Sequence, residues 1–198
     1  INGSWDSTSG GRSGVAFAPI LFTIYCVGVL FFACRLFMGV LASRSYRRQA
    51  RPVREIELLA AILRATKRVG LAAAPPVMWC QNVAVPSVVG VLRPAVLLPW
   101  ACASGLSAEQ LEQVLIHELM HVRRYDPIFN LAQNTIEAIL FFHPVVWLIS
   151  RRVRLEREFC CDMAVVDSGS RADDYAHSLI DVAQLSRSTM SPPEPLAL

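Results

Sequence analysis

The 198-residue sequence is poor in charge, in histidine and in paired cysteine spacing, and each shortage removes a class of function. Only 18% of the residues are charged against 54% hydrophobic, and the mean hydropathy of +0.40 is high for a soluble domain. None of the six cysteines has C-x-x-C spacing, which leaves no thiolate pair at ribbon or redox spacing. No acid occurs between residues 35 and 54, where Arg35, Arg44, Arg47, Arg48, Arg51 and Arg54 form a collar. That collar largely explains the net charge of +3, and no separate basic stripe asks for nucleic acid, so no direct nucleic-acid partner is expected.

Charge is missing altogether from Val15 to Cys34, twenty residues that are long enough to cross the hydrocarbon of a bilayer as one helix. A buried core helix of this length would show a polar face. The flanks orient the span: residues 1–14 carry one Arg and one Asp, whereas the collar follows it. The positive-inside rule then places everything after the span in the cytoplasm. The expected organisation is an extracytoplasmic Gly/Ser-rich loop at 1–14 and a transmembrane helix with the start of the collar at 15–42. A cytoplasmic domain at 43–190 and a Pro-rich linker at 191–198 complete it. A chain that starts at Ile1 and ends in SPPEPLAL reads as a fragment of something longer, with further spans or a sensor domain expected outside it.

Two of the four histidines fall in His117-Glu118-Leu119-Met120-His121, an H-E-x-x-H pattern. On a helix, residues four apart differ by about 40° in azimuth and about 6 Å along the axis, so both imidazoles reach a common point as ligands of one zinc ion. Glu118, about 100° round from His117, reaches a water at that point as a general base. Two histidines on an apolar helix could instead be core residues, but an adjacent Glu is seldom buried without a partner. The surrounding sequence predicts a helix at about 108–124. Ser107 and Gln110 form a capping box. Glu109, Glu112, Arg123 and Arg124 match the helix dipole, and Leu111, Val114, Leu115, Leu119 and Val122 recur on one face.

Such a site needs a third protein ligand. Glu158 and Asp162, four apart in RRVRLEREFCCDMAVV, supply the ligand and a carboxylate that holds a ligand histidine by its ring N–H. Glu156 competes but faces about 120° away from Asp162. Cys160 and Cys161 point to different sides of a helix and read as small packing residues, as do Cys80 and Cys102.

Residues 54–70 read as an amphipathic helix through Ile56, Leu59, Ile62, Leu63 and Val69, ended by Gly70. VMWC, NVAV and VVGVLRPAVLLP at 77–98 read as short strands with an edge position; an edge strand could receive substrate or merely cover the helix. Asp126-Pro127 reads as an N-cap and first helical residue rather than as a metal residue. PIFNLAQNTIEAILFFHPVVWLIS looks like a second span. A single crossing would separate His121 and Glu158 by about 30 Å, whereas ligands lie about 2 Å from zinc. His143-Pro144 should therefore fold 127–142 and 144–168 into a hairpin, whose apolar tip reaches toward the membrane interface. His143 reads as a packing residue, and His177, on a last helix over 171–187, as a surface or packing residue.

In this order, the span, SVVGVLRPAVLLP, HELMHVRRYDPIFN, FFHPVVWLISRR and EREFCCD resemble the BlaR/MecR-type antirepressor membrane metallopeptidases over about 77–166. The resemblance implies zinc at His117, His121 and Glu158, a catalytic Glu118, and cleavage of the chain itself or of a cytoplasmic repressor in bacterial signalling. The expected fold is α+β and gluzincin-like: mostly helical, with a small sheet beside the H-E-x-x-H helix and one N-terminal transmembrane helix. Zinc is the cofactor expected, and a protein substrate and the lipid bilayer are the partners, with a homodimer left open. Family members that sense β-lactams carry a penicillin-binding domain after this region, so the sensed ligand is unassigned. A constitutive quality-control zinc protease and a non-catalytic signalling scaffold stay open beside this reading.

Overall fold

A computed structural model describes residues 13–190. Of the expected loop at 1–14, only Ser13 and Gly14 are described, as the start of a helix, and the Pro-rich 191–198 lies outside the described residues. The first helix, α1, runs Ser13–Gln49, or about 55 Å at 1.5 Å per residue. Its uncharged part accounts for about 30 Å, and the arginine-bearing remainder continues past it in the same helix. Among the described residues α1 is the one helix long and apolar enough to cross a membrane, and its apolar stretch is unburied.

The chain leaves α1 directly into a four-stranded mixed sheet, β1 (Arg51–Pro52), β2 (Val77–Cys80), β3 (Ser87–Val89) and β4 (Ala95–Pro99), in the order β1-β2-β4-β3. Strand β2 is parallel to β4, while β1 and β3 run antiparallel to their neighbours. Every residue of β4 is buried, which is why Ala-Val-Leu-Leu-Pro reads as a continuous apolar run and not as an alternation. Two expectations change here. NVAV forms a turn instead of a strand, and the end of the arginine collar supplies β1, where Pro52 is tolerated because the strand is an edge.

Helix α2 (Ile56–Val69) lies between β1 and β2 in sequence and ends at Gly70, whose φ of 75° closes the last carbonyls. The face it buries differs from the expected one. Ile56, Leu59 and Leu63 are exposed, and Leu58, Ala61, Ile62, Ala65, Thr66 and Val69 are buried. The small Ala61 and Ala65 permit close approach to the next long helix, an advantage that counting only large apolar residues misses.

After the short α3 (Ala101–Gly105) come α4 (Ala108–Arg123), α5 (Asp126–Ile139), α6 (Pro144–Asp167) and α7 (Ala172–Met190). The core joins α2, α4 and the sheet through Leu58, Ile62, Val96, Leu98, Leu115 and Leu119, with Val165 of α6 and Tyr175 of α7 closing it. Helices α5 and α6 form the expected hairpin about His143-Pro144, which returns α6 to α4. The architecture is mostly helical, with a small mixed sheet and one long N-terminal apolar helix.

Candidate metal centre

Local sequence sets the rotation of α4. The Ser107 hydroxyl accepts from the Gln110 N–H at 3.2 Å, and the Gln110 side chain accepts from the Ser107 N–H at 2.9 Å. Leu115 and Leu119 are fully buried, so the face nearly half a turn away must look outward from the core. That face presents His117 and His121, with their rings 5.0 Å apart. Glu118 is buried beside them.

Helix α6 is fixed by a buried cation. Arg157 donates to Gln133 at 2.7 Å and to the Asp126 carbonyl at 3.4 Å, which ties α6 to α5. The next residue, Glu158, is thereby turned toward α4. Glu156 points to solvent and pairs with Arg152 at 2.7 Å, as the helical arithmetic requires.

The three expected ligand atoms converge. Glu158 Oε2 lies 3.5 Å from His117 Nε2 and 3.7 Å from His121 Nε2, and the two Nε2 atoms are 3.3 Å apart. A tetrahedron with metal–ligand distances of about 2.0–2.1 Å has edges of about 3.3–3.4 Å. The three side-chain atoms therefore stand at separations close to those of three corners of such a sphere.

Both ring Nδ1 atoms face outward to fixed partners. His117 Nδ1 is 3.1 Å from Asp162 Oδ1 and 2.9 Å from the Tyr175 hydroxyl, which itself donates to Asp162 at 2.7 Å. His121 Nδ1 is 2.8 Å from Asp126 Oδ2. Carboxylates on Nδ1 hold the proton there and leave each Nε2 lone pair for the common point.

Over residues 13–195 the sequence matches the family described as BlaR1 peptidase M56. The chain belongs to that family. The regulatory protein BlaR1 of Bacillus licheniformis is 37% identical over 81 residues, which cover 41% of this chain and 13% of that protein. The methicillin resistance mecR1 protein of Staphylococcus aureus strain Mu50 is 26% identical over 106 residues, 52% of this chain and 18% of that protein. The chain thus spans only a small part of the length of these curated relatives.

In this M56 chain the protonation tendencies follow from position. Burial raises the Glu118 carboxyl above its ordinary value, against the lowering influence of His117 and His121. Burial alone would lower His117, but the hydrogen bond to Glu158 and the charges of Glu118, Asp162 and Glu158 raise it. Glu158 is lowered, chiefly by that same hydrogen bond with His117. Burial pushes the Cys161 thiol up to about 12, so it stays protonated at neutral pH, in keeping with a packing residue. Its Sγ lies 3.4 Å from His121 Nδ1, and His121, Asp126 and Cys161 could also surround an ion, but Asp126 already occupies that nitrogen.

Asp126 corrects the sequence reading. It is not the cap of α5: Tyr125 precedes the helix in a left-handed conformation, φ 59° and ψ 29°, and Asp126 is buried inside the first turn against His121. A non-glycine residue held there costs roughly 1–2 kcal/mol, and the bend is what folds Asp126 back onto the helix it follows. Tyr175 was not singled out either, since nothing local to α7 marks it. Asp162→Asn and Asp126→Asn are each expected to weaken metal binding by roughly 10–100-fold while the fold persists, read by metal titration and circular dichroism. Unchanged affinity in both would reduce these carboxylates to packing groups. His143 stands at the N-cap position of α6 without a side-chain capping bond and is exposed where a packing residue was expected; His177 is exposed too, and neither belongs to the cluster.

Proposed function

We propose that the chain is a membrane-anchored zinc endopeptidase with a gluzincin-like site, acting on itself or on a cytoplasmic repressor in signal transduction. The observation that carries this is the convergence of His117 Nε2, His121 Nε2 and Glu158 Oε2 beside a buried Glu118. His117, His121 and Glu158 would hold the ion. Zinc, when bound, supplies a Lewis acid that acidifies water and polarises the scissile carbonyl.

The remaining chemistry belongs to the protein. The Glu118 carboxylate takes a proton from the attacking water and returns it to the leaving nitrogen. Asp162 and Tyr175 hold the His117 ring, and Asp126 holds the His121 ring, so no reorganisation is needed as charge develops. Substrate in extended form would add to β3, an edge strand of the sheet. Ser87, Val88 and Val89 of that strand line a cleft of about 1190 Å³ shared with α1 and α5.

The test is cleavage by the purified full chain, in detergent with zinc, of itself and of a co-expressed repressor, followed by mass spectrometry. Discrete fragments that vanish with a chelator and return with zinc are expected. Their absence would leave a non-catalytic scaffold, and indiscriminate cleavage of unfolded proteins would favour a quality-control protease. For orientation, the six arginines after the span support a cytoplasmic catalytic domain. A reporter fused after Pro195 should be active only inside, and activity only outside would contradict this.

A further inference from the structure

The tip of the α5–α6 hairpin carries several exposed apolar side chains. No Asp, Glu, Lys or Arg occurs from Ala138 to Ser150. Ile139, Phe142, Val145, Leu148 and Ile149 of this stretch are exposed, Phe142 to 61% and Leu148 to 70%. A soluble surface seldom gathers so many large apolar groups in one place.

What the tip touches identifies its surroundings. Phe141 stacks on Tyr25 and on Phe32 of α1, with ring centroids 6.1 and 5.6 Å apart, and Trp147 lies 5.7 Å from Phe32. Between these contacts Phe141 lies directly against Gly28, where a Cβ would overlap its ring. All three α1 residues belong to the uncharged run. Tyr25 is ten positions before Arg35, or about 15 Å along the helix, which is half the hydrocarbon thickness.

The backbone at the turn is also fit for an apolar medium. The Phe141 carbonyl accepts from the Trp147 indole at 2.8 Å, the His143 N–H donates to the Leu140 carbonyl at 2.9 Å, and Pro144 has no N–H to satisfy. Beyond the exposed His143 at the turn, charged groups resume only at the base of the hairpin. There Glu137 pairs with Arg154 at 2.7 Å and lines the same cleft as Arg35 of the collar.

We infer that residues 138–150 form a re-entrant hairpin tip, buried in acyl chains beside α1 and reaching about the bilayer midplane without crossing. This rests on the reading of α1 as a membrane span. It pins the metal cluster close above the headgroups, so that the bonds this site cuts lie near the membrane surface. The occupant of the exposed face is lipid, because the same hairpin rests on the part of α1 that lipid must surround.

The experiment places a photoreactive benzoylphenylalanine at 142 or 148, at 24 on α1, or at 92 in the β3–β4 turn of the full chain. The chains are reconstituted in vesicles of phosphatidylethanolamine and phosphatidylglycerol. Mass spectrometry after illumination should find lipid adducts at 142, 148 and 24, and none at 92. Adducts at 24 without any at 142 and 148 would overturn the hairpin and keep the span. Cross-links from 142 and 148 to a second copy of the chain in place of lipid would overturn it too. No lipid adduct at 24 would overturn the span and the hairpin together.

Discussion

Glu118→Gln is expected to retain zinc and to lower peptide-bond hydrolysis by roughly 10²–10⁴, the usual contribution of a positioned acid–base group. The side chain is buried next to the cluster, but its oxygens are not among the three converging atoms, so a bound ion would keep the three ligands proposed for it. The amide matches the carboxylate in shape and cannot accept the proton from water. Burial raises the Glu118 carboxyl, a direction that brings a carboxylate nearer to the pKa a base needs at neutral pH. The assay is the fragment yield described above, with metal content measured on the same sample. Cleavage at the wild-type rate would remove Glu118 from the reaction, and loss of zinc would exchange its role with that of Glu158.

The second large effect is expected at Glu158. Glu158→Ala should abolish tight zinc binding and activity together, a greater loss than the roughly 10–100-fold of an outer partner, because one of three protein ligands is gone. Glu156→Ala is the matched comparison, two residues away on the same helix. Its carboxylate is spent on an exposed pair with Arg152, which is worth at most about 1 kcal/mol and nothing to the site. Equal metal affinity for both variants would mean that the approach of Glu158 to the histidines is an ion pair and no more. The half-exposed position of Glu158 makes the test clean, since truncation there leaves no cavity in the core.

The parts of the fold that were legible in the sequence are those fixed by residues close together in the chain. The α4 helix, its capping box and the common face of His117 and His121 follow from a period of 3.6 and two terminal signals. The hairpin was legible for a different reason: a ligand set split by 127–150 cannot tolerate one crossing, and His143-Pro144 offered the place to turn. Where local signals were ambiguous the reading failed. Asp126 before Pro127 fits a cap, and only the left-handed Tyr125 reveals that the side chain turns back to His121 instead. Tyr175 is 58 residues from His117, so its part in the Asp162 network is a product of tertiary packing. The buried face of α2 depended on small residues that a pattern of large ones hides, and β1 is too short to carry a pattern.

The central claim, that this cluster holds one zinc ion through His117, His121 and Glu158, is tested most directly by the zinc content of the purified full chain. It is measured after zinc addition and removal of excess, alongside His121→Ala and Glu158→Ala. The account predicts about one zinc per wild-type chain and none retained by either variant. A wild-type chain that binds none, or variants that bind as much as the wild type, would contradict it.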